Sequence, residues 1–273
     1  MTPIRPKFAN PPLIERAISV VFTSLPRFSL GDYGLFWAEI SAEFSISEMM
    51  DPMAVEMERF GFPALAQMNI QILPSAPMPR AAFRNAAAGE LIQVQPDRFG
   101  FNWIKTGDDH KYPHSEATLD RFFSLFEIFG RYVKDRNLGD ISIVQCELTN
   151  VNIIPVSDVG QNFADIATVL RLAPLSHEYE QLQLENQLVG SKHLMLDDEG
   201  RQIGRVHTLG QPSLKVPGNE EVYRLDISAR GAPLGAGFDG ARKFFDHAVS
   251  AVNGVFLTNI TKAGRQFWGE YDG

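Results

Sequence analysis

The sequence predicts an α+β fold made as a tandem duplication of one strand–helix–four-strand–helix unit, with antiparallel sheets and the long helices packed on one face. Three pairs of landmarks predict it. Apolar strands open two halves at residues 14–22 and 141–153. The last strands before the long helices fall at 99–103 and 223–227. Those helices carry paired phenylalanines, Phe122-Phe123 and Phe244-Phe245. Ile14 and Ile141 are 127 residues apart, Phe99 and Tyr223 are 124 apart, and Phe122 and Phe244 are 122 apart. A near-constant spacing of like elements is the mark of an internal duplication. Residue identity between the halves is low, so the inference rests on order and spacing. It divides the chain into an extended arm at 1–12, a first repeat at 13–139 and a second repeat at 140–273.

Taken in order, the arm carries Pro3, Pro6, Pro11 and Pro12, and proline fixes φ and removes donors, which favours extended chain. The first strand begins near Leu13. Ile14, Arg16, Ile18 and Val20 share one side of it, and neither side is cleanly polar, as in a strand covered in part on both faces. Ser29 is placed to cap a helix running to about Phe44, whose apolar positions Leu30, Tyr33, Phe36, Trp37, Ile40 and Phe44 fit a 3.6-residue period. Residues 51–62 give no clear pattern. Strands are then expected at 65–73, 80–85, 91–95 and 98–104, the last two joined by a hairpin at Pro96-Asp97. Phe99, Phe101 and Trp103 share one face of the fourth; Arg98, Gly100 and Asn102 share the other. A helix follows from His114 or Ser115 to about Arg136, with Leu119, Phe122, Phe126, Phe129 and Val133 as its buried stripe and Asn137-Leu138-Gly139 as its stop.

The second half predicts a strand at 141–154, a turn at 158–160 and a short helix at 163–172. Strands are expected at 179–188, 193–196, 205–209 and 221–229. Asp197-Asp198-Glu199-Gly200 is a hairpin turn, and residues 210–219 a looser connection. Asp239 is expected to cap the last long helix, which carries Ala241, Phe244, Phe245, Ala248, Val252, Val255 and Phe256 toward the core. A second short helix ends near Trp268.

Composition narrows the function. Of 273 residues, 44% are hydrophobic and 21% charged, which places the chain among packed globular proteins. The formal net charge is −8. An acidic chain is repelled by phosphate backbones and anionic lipid, and no Lys/Arg run offsets this, so general nucleic-acid or membrane binding is not expected. No stretch approaches the roughly 20 apolar residues that span a bilayer, and no signal-peptide pattern opens the chain, so the expectation is a cytoplasmic protein. The single cysteine, Cys146, cannot form an intrachain disulfide. It lies among Ile143, Val144 and Leu148, where a small core residue is the plainer reading than a nucleophile. No metal site and no cofactor is expected. His110 and His114 are four apart, but in a loop with Pro113, so they share no helical face. Neither a nucleophile elbow nor a phosphate-binding glycine loop is present.

The polar residues on strands carry the functional expectation. Arg98 and Asn102 end the first repeat's sheet. Glu147, Thr149 and Asn152 lie on the opening strand of the second, and Arg224 and Asp226 on its last. If helices cover one face, Arg98, Asn102, Glu147, Thr149, Arg224 and Asp226 meet on the other. Asn152 has the opposite parity and joins them only through a bulge. Such a set is either a pocket or partner surface, or a ladder of cross-strand pairs that solubilises an open sheet. His247, at the edge of the last helix's apolar stripe, is either a polar anchor at a groove or a histidine satisfied at the core's edge.

Several phrases together carry a resemblance: Pro11-Pro12 before Ile14-Glu15, Gln95-Pro96-Asp97-Arg98-Phe99, Phe101-Asn102-Trp103, Tyr112-Pro113, Glu147-Leu148-Thr149-Asn150, Leu225-Asp226-Ile227 and Trp268-Gly269. The chain resembles, over almost its whole length, a family of bacterial proteins distributed sporadically among genomes. The resemblance implies no particular activity or cofactor; sporadic distribution implies mobile or defence-associated genes. The element order is similar to that of the duplicated saddle of the TATA-binding protein, an analogy of fold alone. The functional expectation is a non-catalytic binding protein that recognises a protein partner or small molecule on its sheet surface, antitoxin-like or tied to a defence system. The alternative is an enzyme with an acid/base cleft between the repeats, using Glu147, Asp226 or His247.

Overall fold

The computed structural model describes residues 7–60, 77–107, 110, 112–172 and 184–271. In chain order these form β1 (Lys7–Phe8), β2 (Leu13–Phe22), α1 (Leu30–Ile40), β3 (Ile46–Met50), β4 (Arg80–Asn85), β5 (Glu90–Gln95), β6 (Arg98–Ile104) and α2 (Ser115–Asp135). There follow β7 (Ile143–Pro155), α3 (Val156–Val159), a 3-10 helix (Phe163–Thr168), β8 (Val189–Leu196), β9 (Gln202–Lys215), β10 (Glu220–Gly231), α4 (Gly237–Asn259), α5 (Lys262–Phe267) and β11 (Glu270–Tyr271). The fold is mixed α+β around one antiparallel sheet of nine strands, ordered β3-β4-β5-β6-β2-β7-β10-β9-β8. The opening strands β2 and β7 lie side by side at its middle, with Ile18 opposite Leu148 and Val20 opposite Cys146. A small pair, β1 with β11, ties the two ends of the described chain together.

Alternation along the strands decides which side the helices cover. Ile18, Val20 and Phe22 of β2, Phe99 and Phe101 of β6, Cys146 and Leu148 of β7, and Leu225 and Ile227 of β10 are all buried, and register places them on one face. Both long helices lie on that face. The Phe99 ring packs on Phe122, Phe126 and Phe129 of α2, with centroids 6.0, 5.3 and 5.2 Å away. Helix α4 lies over β7 and β10. The two helices meet through Phe126 stacked on Phe238 at 4.4 Å and Phe122 edge-on to Phe245 at 5.6 Å. Aromatic pairs in these geometries add to what the burial of their area supplies.

Helix α1 enters through a cap that also joins it to α2. The Ser29 amide and hydroxyl both donate to the Asp32 carboxylate, at 2.8 and 2.6 Å. The Tyr132 hydroxyl donates to the same carboxylate at 2.8 Å from α2. Phe36 then sits between Phe83, Phe129 and Tyr132, so α1 closes the first half of the helix face.

Several boundaries differ from the sequence expectations. The sheet is one continuous layer. The strand expected at 65–73 lies outside the described residues, and the outermost strand among them is β3, at 46–50. Of the strand expected at 179–188, residues 179–183 lie outside the description and 184–188 are not strand. The looser connection expected at 210–219 is mostly strand: β9 runs to Lys215. Pro212 falls inside this strand, but β8 reaches only to Gly210 along β9, so Pro212 sits where β9 is an edge, a position that tolerates proline. Helix α4 starts before Asp239, with Ala236 at the cap position. Asp239 falls in the first turn, where its charge complements the helix dipole.

Candidate functional site

The face away from α2 and α4 is polar. Across β5, β6, β2, β7, β10 and β9, register aligns Gln93, Gly100, Ser19, Glu147, Arg230 and Arg205 in one row. Gln95, Arg98, Val21 and Gln145 form the row beside it. Arg98, Asn102, Glu147, Thr149, Arg224 and Asp226 therefore share this face. They fall into four groups. Arg98 donates to Glu147 at 2.6 Å, with side chains only 5% and 13% exposed. Asn102 donates to Glu15 and accepts from Gln93 at 2.7 Å. Arg224 clasps Asp226 at 2.9 and 3.0 Å near the surface, and that carboxylate raises the Arg224 pKa. Thr149 and Ser228 bond hydroxyl to hydroxyl at 2.8 Å.

The other proposed residues stand apart. Asn152 lies on the helix face, as its parity dictates, because the β7–β10 register has no shift there. It donates to the Leu225 carbonyl at 3.0 Å and is buried. His247 is also on the helix side. With His193, Met195, Val206, Ala251 and Val255 it lines a cavity of about 420 Å³ between α4 and β8–β9. Glu147, Asp226 and His247 therefore do not converge on one cleft. His110 packs against Trp103 at 5.3 Å and its Nδ1 receives the Thr106 amide at 3.2 Å. Among the described residues no group of three or more His, Cys, Asp or Glu is arranged to hold a metal. Cys146 is fully buried, and burial pushes its thiol well above the ordinary value, the state of a core residue and not of a nucleophile.

The structure adds a feature that periodicity does not reveal. Residues 51–60, neither helix nor strand, cross the polar face. The Gln95 side-chain amide accepts from the Met53 amide at 2.9 Å and donates to the Met53 carbonyl at 3.3 Å. Gln145 repeats the grip, accepting from the Glu58 amide at 2.8 Å and donating to the Glu56 carbonyl at 2.9 Å. Gln145 is itself oriented by a 2.7 Å bond to Glu147, which Arg98 holds from the other side. Further along, Glu56 pairs with Arg230 at 2.6 Å, and Glu58 with both Arg205 and His207. Arg205 also lies over the Phe60 ring, 5.3 Å from its centroid.

The electrostatics follow from this arrangement. The Arg230 hydrogen bond and charge hold the Glu56 carboxyl below its ordinary value. Burial pushes Glu58 upward, but His207 and Arg205 outweigh it and leave its carboxyl lowered. A further buried cation lies on the helix side. Arg16 is 1% exposed, donates to Asn150 at 2.8 Å and sits over the Tyr112 ring at 4.9 Å, and burial lowers its pKa.

Gln145, Arg230, Arg205 and His207 were within reach of the period-two argument, since each has the parity of Glu147 or Asp226 along or across the strands. The crossing segment was not. Comparison with protein-family models, curated proteins and solved structures finds no match.

Proposed function

We propose that the chain is a non-catalytic binding protein that recognises a protein partner on the open face of its sheet. The carrying observation is the linked set Arg98–Glu147–Gln145, in which a buried ion pair orients an amide that holds main chain and not a neighbouring side chain. A ladder that served only solubility needs no such linkage. Proposed catalytic groups on opposite faces weigh against an acid/base cleft.

We also read residues 13–139 and 140–273 as repeats of one unit forming a saddle. Counted outward from the β2–β7 seam, the strands run β6, β5, β4 and then β3 on one side, and β10, β9, β8 on the other. Each long helix follows the strand next to the seam pair. That parallel order supports duplication, with a short α3 and 3-10 pair standing where the first half has α1.

The test is affinity capture from the native host with the tagged chain and with Arg224→Ala/Asp226→Ala. This exposed pair contributes about 0–1 kcal/mol to stability. A partner captured by the wild type should fall about tenfold or more with the variant, at a nearly unchanged thermal midpoint. Equal capture by the folded variant contradicts recognition through this end of the face.

A further inference from the structure

The way residues 51–60 are held specifies the kind of partner. Two glutamines on strands β5 and β7 each make a two-point contact with its main chain, one N–H and one C=O apiece. A side-chain amide used this way reads peptide backbone without regard to sequence, as an added strand is read by a sheet edge. Charge supplies the selectivity. Glu56 and Glu58, two residues apart, meet Arg230, Arg205 and His207. The segment turns the side chains of Met53 and Met57 outward, 39% and 45% exposed. The segment has no strand ladder of its own, so its hold on the face is made by these side-chain bonds and ion pairs.

We propose that residues 51–60 are an internal stand-in for the partner: the open face takes an extended acidic peptide segment of another protein, carrying carboxylates two residues apart, in place of this segment. The inference rests on the reading of the open face as a recognition surface. Displacing the segment exposes Arg205, Arg230 and His207 together and leaves the amide oxygens of Gln95 and Gln145 without donors. An incoming acidic peptide restores both sets of bonds. A phosphate backbone satisfies only the cations, because it offers no N–H groups to the two glutamine oxygens. The geometry therefore favours peptide over nucleic-acid strand.

The test uses a fluorescein-labelled peptide with the sequence of residues 51–60, and the same peptide with glutamine at both glutamate positions. The protein is the full-length chain, either wild type or with residues 51–60 replaced by a Gly/Ser segment of equal length. The acidic peptide should bind the replaced chain about tenfold or more tightly than it binds the wild type. The glutamine peptide should bind more weakly. Adding Arg205→Ala and Arg230→Ala to the replaced chain should abolish binding, and an oligonucleotide should not compete.

Three outcomes overturn the inference. The first is a folded replaced chain that binds neither peptide. The second is a replaced chain that no longer folds, which makes the segment part of the fold. The third is competition by the oligonucleotide, which moves the partner to another class. If capture through Arg224 and Asp226 succeeds while the peptide fails, the face stands as a recognition surface and only the acidic-peptide partner is lost. If that capture fails as well, the reading of the face falls.

Discussion

The two faces of the sheet are built from the same strands by alternation, yet they solve opposite problems. On the helix face, Phe99, Phe122, Phe126 and Phe129 pack ring on ring and exclude water. On the open face, side chains of the same strands are arginine, glutamate and glutamine, linked to one another and to residues 51–60. The helix face holds the fold by area removed from water, which is non-directional and tolerant of small shifts. The open face depends on donors meeting acceptors, where each partner fixes the position of the next. The difference separates two kinds of interaction: a substitution on the helix face leaves a cavity in packed rings, and one on the polar face leaves donors or acceptors without partners.

The largest effect is expected on the helix face. Phe126→Ala removes a fully buried ring that touches Phe99, Phe122 and Phe238. It should cost about 3–5 kcal/mol in denaturant melts. A loss below ~1 kcal/mol would place that ring at solvent and break the comparison.

Arg98→Ala tests a buried ion pair of the open face. Removing the guanidinium strands the Glu147 carboxylate, and breaking a buried pair costs about 3–5 kcal/mol; the residual exposure of Glu147 puts this one near 3 kcal/mol. Arg98→Met/Glu147→Leu should recover most of that stability while loosening Gln145. A double variant no more stable than Arg98→Ala would mean that the pair contributes through packing and not charge.

A smaller effect is expected at the α1 cap. Burial pushes the Asp32 carboxyl up, but the Ser29 and Tyr132 hydrogen bonds and Arg136 leave it below its ordinary value of 3.8. Its folded-state pKa is depressed, so the unfolded chain binds the proton more readily in acid. The stabilisation is therefore full above about pH 3.8 and is lost as pH falls through the folded value. Asp32→Asn should cost about 1–2 kcal/mol at pH 7. It should also flatten the acid limb of a stability–pH curve, and an unchanged limb would assign acid sensitivity elsewhere.

These expectations differ in how far the sequence reveals them. The Phe122–Phe129 stripe and the Ser29 cap are local signals, set by helical period and by residues three apart, and the structure places both where they read. The parity of Arg98 and Glu147 was legible because a strand has only two sides. That these two pair was not, since their meeting depends on β2 lying between β6 and β7. Residues 51–60 lack any period because no ladder imposes one: their contacts are made by glutamines far away in the chain. The boundaries that moved, such as the continuation of β9 past Pro212, moved because an edge position removes the penalty that proline carries inside a sheet.

The most direct test of a division of labour between the faces is amide hydrogen exchange in the wild type and in Gln145→Ala. The Glu58 amide is held by the Gln145 side chain and belongs to no helix or strand. Loss of that side chain should raise exchange at Glu58 to the rate of an open loop, while amides of β7 and β10 stay protected. Glu58 protection that survives the substitution, or strand protection that collapses with it, would contradict a gripping face laid over an independently stable fold.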